Sequence, residues 1–375
     1  MSLSDWFQSL WKKQAEHYVY ATIPPERQQP RVEPVPLQAE KHYLRLWLSE
    51  SFLADDRRLF REYVPVVHSS VRLQFANNPA QELPFVAGAS SLGMGTTLGK
   101  GVQLNHALTN LLPFRGGTVA IAAALFAYKQ KDFFQGFLEV LNEISGLLNV
   151  GQLSATLQVA SGAVDGIQSL LGAGEKDAHL LYFQQFGGAA VDGGSPLVSG
   201  YQAIIRARAG QFDAGRLWVR DGRLLIGNSA DGAKPLEGYD YMLLRVEAAD
   251  RRDDFLGFPE FSHLLAKAIE KGISSEDEGR KVLETAQIAV WASPDLTQAD
   301  RARVAIALRD EFKAAISGTK APGARAAAAV GLATLEHRLS ARAAGLALPG
   351  VAAERSALDL QGEGGSLEDF LKVVR

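Results

Sequence analysis

The sequence predicts an α+β fold: mainly antiparallel sheet, an inserted helical hairpin, and a helical C-terminal module. Three observations carry this. Apolar and polar side chains alternate in short runs before residue 130 and again between residues 201 and 247. Between residues 131 and 172, and again after residue 259, apolar side chains recur at three- and four-residue steps. An Asp221-Gly222 pair also separates two strand-like runs, the mark of a tight antiparallel hairpin turn.

Composition narrows the function classes. The 375 residues are 47% hydrophobic and 22% charged, enough for a sizeable core in one to three domains. There are no cysteines, which excludes disulfides, thiolate nucleophiles, Cys-ligated zinc and iron–sulfur clusters, and fits a reducing cytoplasmic setting. The net charge of −3 argues against nucleic acid as the main partner, because phosphate neutralisation supplies most of such affinity. No secretory leader is expected, because no basic region followed by an apolar run opens the chain. No uniformly apolar stretch has the length of a spanning helix.

Taken in order, Leu3, Trp6, Phe7, Leu10 and Trp11 lie on one face of a short amphipathic helix. Pro24, Pro25, Pro30, Pro34 and Pro36 follow, so residues 1–36 read as helix plus extended tether. An α+β region is expected over 37–190. Within it Leu44, Leu46 and Leu48 alternate with Tyr43, Arg45 and Trp47, and Val71 and Leu73 mark a second strand. Val64–Val67 reads as a separate short strand, with Pro65 placing it at an edge. The glycines from Gly88 to Gly101 do not form a phosphate loop. Met94 stands where the first glycine is needed and Gly101 where Ser or Thr would bind magnesium, so no nucleotide is expected. Thr118–Tyr128 is apolar and uncharged. Its alanines suit a helix, but its Gly116-Gly117 entry and β-branched start favour a buried strand. Phe133, Phe137, Leu141, Ile144 and Leu148, then Leu153, Leu157, Val164 and Leu171, give the two arms of a helical hairpin over 131–172.

Residues 191–258 read as an antiparallel meander, with strands in Tyr201–Ala209, Leu217–Arg220, Arg223–Gly227 and Tyr239–Glu247. Residues 259–345 read as a helical bundle. Pro259 starts the first helix and Gly272 ends it. Ser275 with Glu278 caps the second, and Ser293-Pro294 stops it. Thr297 with Asp300 caps the third, and an alanine-rich fourth follows over 324–344. Residues 346–375 form a flexible tail ending in a short helix with Leu367, Phe370, Leu371 and Val374 on its apolar face.

Chemistry-bearing motifs are sparse. None of the seven histidines forms an HExxH or HxH pair, and no GxSxG elbow is present. A hidden site would first be sought at His68, His106 and the glycine loop. No catalytic residue, metal ligand or cofactor is therefore assigned. Arg206, Arg208, Arg216, Arg220 and Arg223, with Trp218, collect in the meander as an anion or nucleic-acid patch, though nearby acidic residues neutralise much of it. The favoured reading is a cytoplasmic, non-enzymatic binding or scaffold protein that meets protein partners, or itself, through its terminal helices. A second reading is a membrane-associating or pore-forming protein, peripheral to a membrane. It would use the Trp-rich N-terminus and the low-charge stretch 147–174, in which Asp165 is the only charge. A third is an enzyme with dispersed catalytic residues.

Overall fold

The computed structural model describes residues 18–52, 54, 57–58, 61–74, 81–87, 102–129, 178–187, 196–208, 210 and 212–319. The strands are β1 (Tyr18–Ile23), β2 (Gln28–Gln29), β3 (Tyr43–Phe52), β4 (Arg57–Arg58), β5 (Arg61–Gln74), β6 (Gln81–Ala87), β7 (Val102–Ala107) and β8 (Leu112–Pro113). They continue with β9 (Thr118–Lys129), β10 (Ala178–Gly187), β11 (Gly200–Arg206), β12 (Leu217–Arg220), β13 (Arg223–Ile226), β14 (Lys234–Pro235) and β15 (Tyr241–Ala249). Three helices follow: α1 (Pro259–Ser274), α2 (Glu276–Ala292) and α3 (Gln298–Thr319). The fold is α+β with mainly antiparallel sheets and a helical module after them, as the periodicities predict. The predicted hairpin at 131–172, the fourth helix, both terminal helices and the glycine loop lie outside the described residues.

A six-stranded sheet in the order β1-β11-β15-β3-β7, with β8 also on β3, forms the frame. Strands from both sequence regions interleave in it: β11 and β15 of the expected meander pair with β1 and β3. The stretch read as a tether is partly structural. β1 is an edge strand, Ile23 is buried, and the buried Gln28 side chain donates 2.6 Å to the Ile23 carbonyl. A four-stranded sheet, β14-β13-β12-β2, packs on one face of this frame. Between them lie Phe52, Ala203, Ile205, Leu217, Val219, Leu224, Tyr241 and Leu243, all buried. Phe52 and Tyr241 stand opposite each other in register and stack at 5.4 Å. The β12–β13 turn is the predicted one: Asp221 and Gly222 both take positive φ, 50° and 77°, as a type I′ turn requires.

The third sheet, β10-β9-β5 with β4 and β6 on β5, corrects one expectation. Residues 61–74 form one continuous strand, not two. Pro65 aligns with Ala127 of β9 and lies outside the stretches of β5 that β4 and β6 cover. Its missing N–H is tolerated because that side of the strand is locally an edge. The strand reading of residues 118–128 holds: β9 is paired on both sides, and Val119 to Ala124 are all buried. A strand covered on both faces needs no alternation, which is why periodicity alone left it open.

In the helical module, Phe261, Leu265, Ala268, Leu283, Ala286, Val290, Val304, Leu308, Phe312 and Ile316 form one buried cluster. Pro259 opens α1, and the Ser275 side chain accepts the Glu278 N–H at the start of α2. Gly272 does not end α1, which runs to Ser274. It is instead a contact glycine. A Cβ there would stand 2.6 Å from Ile316 Cδ1, and a Cβ on Gly279 would stand 2.6 Å from Gly272 Cα and 2.7 Å from the Ala268 carbonyl. Two effects compete in Gly279→Ala. Helix propensity favours alanine by about 1 kcal/mol, and overpacking costs about 1–3 kcal/mol. Because the obstructing atoms are backbone, overpacking wins, and Gly279→Ala lowers the unfolding free energy measured in urea by a net of up to about 2 kcal/mol.

Candidate functional site

Most of the described buried ionisable groups join one element to another. The largest such cluster ties the helical module to the frame. Arg252, just past β15, is fully buried. Its guanidinium donates to both carboxylate oxygens of Asp254, at 2.7 and 2.8 Å, and to the carbonyls of Leu111 and Asp295 at 3.1 and 3.3 Å. The rings of Phe258 and Tyr43 pack against it at 4.6 and 5.7 Å. Asp300, in the first turn of α3, accepts from the Tyr43 hydroxyl at 2.9 Å, the Arg252 N–H at 3.0 Å and the Arg303 Nε at 2.6 Å. Arg303 also donates to Asp253 at 3.0 Å and to the Arg252 carbonyl.

This corrects the predicted cap of α3. The Thr297 hydroxyl is buried without a partner, and the Asp300 carboxylate turns toward the sheet. The free N–H groups of the helix start are met from the segment leading into β3. Thr297 N–H donates to the Tyr43 oxygen at 3.0 Å, Gln298 N–H to the Glu40 carboxylate at 3.1 Å, and Ala299 N–H to the Glu40 carbonyl at 3.1 Å. Burial holds the Tyr43 phenol above its ordinary range. Burial alone would raise the Asp254 carboxyl, but the hydrogen bonds and charge of Arg252 outweigh it and hold it below the usual range.

A second buried carboxylate joins the two stacked sheets. Glu50 of β3 accepts the Leu224 N–H of β13 at 2.7 Å and is hydrogen-bonded by Tyr241. Burial raises its pKa; the Leu224 and Tyr241 bonds and Arg223 only partly offset that. His42 is buried too: its Nδ1 accepts the Gln38 N–H at 2.8 Å, and burial followed by Lys41 lowers its pKa. His68 falls on β5 and His106 on β7, in different sheets. Among the described residues no group of His, Asp and Glu has the spacing to hold a metal.

The predicted arginine patch divides between sheets. Trp218, Arg220 and Arg223 share the outer face of β12–β13, with Arg220 directly opposite Arg223. Arg27, which sequence patterning missed, stacks on Trp218 at 5.7 Å. Arg220 donates to the Gln29 side chain at 3.1 Å, and Trp218 to the Gly227 carbonyl at 3.0 Å. Arg216 is exposed in the turn before β12. Arg206 ends β11 in the other sheet with Asp240 at 3.6 Å, and Arg208 is exposed beyond it. Leu3, Trp6, Phe7, Leu10, Trp11, Leu367, Phe370, Leu371 and Val374 lie outside the described residues.

A different cationic group appears on the frame, where the stacked-sheet core ends. Register places Tyr201, Arg245 and Trp47 in one row across β11, β15 and β3, and Glu247 beside Arg45 in the next. The guanidiniums of Arg45 and Arg245 lie 5.3 and 4.9 Å from the centre of the same Trp47 ring. The Trp47 indole N–H donates to Glu247, and Arg245 stands 3.9 Å from that carboxylate. The sequence signal was the period-two spacing of Arg45-x-Trp47 and Arg245-x-Glu247, but joining them needs a register spanning about 200 residues.

Away from the polar groups, Ile288, Trp291 and Ile306 are exposed by 67%, 51% and 48%. Ile288 and Trp291 are one turn apart on α2. The Gln287 side chain donates 3.2 Å to the Ala305 carbonyl of α3, joining the helices one residue from Ile288 and Ile306. Among the described residues no helix is long and apolar enough to cross a membrane.

Two outcomes follow for the carboxylates. Asp300→Ala leaves the Tyr43 hydroxyl and the Arg252 N–H without their acceptor and removes one of the two carboxylates that Arg303 holds, and urea unfolding should show a loss of about 3–5 kcal/mol. Glu50 has a raised folded pKa, so its contribution is greatest below the unfolded carboxyl value and is lost as pH rises through the folded value. Glu50→Gln should therefore match wild type near pH 4 and become the more stable protein at pH 8, by about 1 kcal/mol of unfolding free energy measured in urea. No protein-family model, curated protein or solved structure matches the chain.

Proposed function

We propose that the chain is a cytoplasmic, non-enzymatic binding protein that works within a multi-protein assembly by offering apolar helical surfaces to a protein partner. The observation that carries this is the apolar face of the helical module. Ile288, Trp291 and Ile306 stand in water on two helices that a direct side-chain bond holds together. Lys281 and Glu284 on α2, with Arg309, Asp310 and Lys313 on α3, are also exposed and supply a polar rim. An apolar centre with a polar rim, and a tryptophan within it, is the composition of a protein interface. The partner that fits is an amphipathic helix, whose apolar stripe would cover the two isoleucines and the tryptophan. The apolar residues predicted at the two termini would add further contacts of the same kind.

A second reading has one geometric observation in its favour. β9 and β10 pair along their length, so the 48 residues of segment 130–177 leave and return at the same end of that ladder. The low-charge stretch 147–174 within that segment could insert into a bilayer as a hairpin.

One set of measurements separates the readings. Complexes formed with extract of the native host are resolved by size and the partner identified by mass. Ile288→Ser with Trp291→Ser should weaken the complex about thirtyfold, the loss of one interface hot spot, with the urea midpoint unchanged. Deleting residues 1–14 and 366–375 should weaken it again. Complexes unaltered by both changes overturn the proposal. Flotation with anionic or neutral vesicles, accompanied by dye leakage, would transfer the function to the membrane reading.

A further inference from the structure

Arg45 and Arg245 share one indole and lack an adequate counter-anion. Arg45 is half-buried, its Nε is buried without a partner, and among the described residues it makes no hydrogen bond or ion pair. The Arg245 Nε is likewise buried without a partner, and the nearest carboxylate, Glu247, stands 3.9 Å from its Nη2 while accepting the Trp47 indole N–H. Other arginines differ. Arg115 and Arg301 also carry a lone Nε, yet each guanidinium reaches a carbonyl, Pro294 at 2.6 Å and Ser293 at 2.9 Å. Arg252 is satisfied by Asp254 and two carbonyls. Among the described residues, the carboxylates that act on the Trp47 pair are both engaged already: Glu247 accepts the indole N–H, and Asp254, which acts on Arg45, is held bidentate by Arg252.

A partly buried guanidinium without a counter-anion loses more hydration than stacking on indole returns. A guanidinium also presents a fork of N–H donors that matches the oxygens of a carboxylate or phosphate. We propose that Arg45 and Arg245 form a binding site for a small oxyanion, held against the Trp47 indole where the stacked-sheet core ends. The shared chemistry is an anionic group with two or more oxygen acceptors. Glu247 is the resident competitor: it partly neutralises the pair when the ligand is absent. The site is independent of the apolar face on α2 and α3.

Titration calorimetry of the full chain tests this at fixed ionic strength, with chloride as background and two probes, inorganic phosphate and glutarate. Binding of phosphate alone identifies a phosphate site, and binding of glutarate alone a carboxylate site. Arg245→Gln should weaken the bound probe at least tenfold. Glu247→Gln should tighten it several-fold, because the competing carboxylate is gone. These opposite signs separate the site from a general loss of folding. In nitrogen–proton spectra, the indole signal that disappears in Trp47→Phe should shift on adding the bound probe to wild type. The proposal is overturned if neither probe binds wild type. It is equally overturned if Arg245→Gln binds as wild type does, or if Glu247→Gln binds more weakly.

Discussion

The Asp300 carboxylate is the point on which the arrangement of sheet and helices depends. It receives a phenol from β3, a backbone N–H from the segment after β15, and a guanidinium from its own helix. These donors come from chain positions 257, 48 and 3 residues away. No apolar contact could impose that specificity, because burial rewards area without direction. A carboxylate removed from water is costly unless nearly all its acceptor sites are filled, so the geometry that fills them is strongly selected. The helical module is thereby fixed in orientation as well as held in place.

The same junction shows why the start of α3 differs from that of α2. Ser275 caps α2 from within its own sequence, so α2 carries its own start signal. The start of α3 is satisfied by Glu40 and Tyr43, which belong to the entry of β3. A helix whose first N–H groups are met from the sheet is incomplete without it. Glu40 adds a favourable charge at the positive end of the helix dipole, and Arg115 stands 3.8 Å from Glu40 while donating to the Pro294 carbonyl. Coupling of helix start to sheet edge makes folding of the module conditional on the frame. This is consistent with one cooperative unit.

What was legible in the sequence was what short-range geometry determines. Asp221-Gly222 specifies a turn that few other dipeptides can adopt, and Pro259 and Ser275 mark helix starts by local chemistry. The strand character of residues 118–128 was also legible, because β-branched entry after a glycine pair is local. What was not legible came from long-range compensation. Val64–Val67 read as a separate short strand because its continuity with Val71 and Leu73 is fixed by pairing to distant β9, whereas the edge that Pro65 marks was legible. Gly272 resembled a terminator because glycine has the same local cost whether it ends a helix or admits a packed one. Thr297 and Asp300 had the spacing of a cap, yet Asp300 gains more from three donors across the junction than from its own helix start. The patch at Arg206 to Arg223 looked continuous because proximity in sequence hides the assignment of strands to different sheets.

The two arginine clusters of the frame define what a structural role looks like in this chain. At Arg252 the protein supplies a bidentate carboxylate, two carbonyls and two aromatic faces, and the charge is fully buried. At Arg45 and Arg245 it supplies the aromatic face and only carboxylates that are engaged elsewhere, Glu247 by the indole N–H and Asp254 by Arg252. Cation–π stacking contributes about 0.5–2 kcal/mol, against an effective desolvation penalty of several kcal/mol for a buried ion. Stacking alone therefore leaves Arg45 under-compensated, and burial accordingly lowers its pKa. A position selected only for packing would carry leucine or methionine beside the indole at no such cost. Retaining two cations there makes physical sense when an anion completes the set. The contrast between the satisfied Arg252 just past β15 and the under-compensated pair on β3 and β15, more than the count of basic residues, is what supports the proposed anion site at the end of the frame.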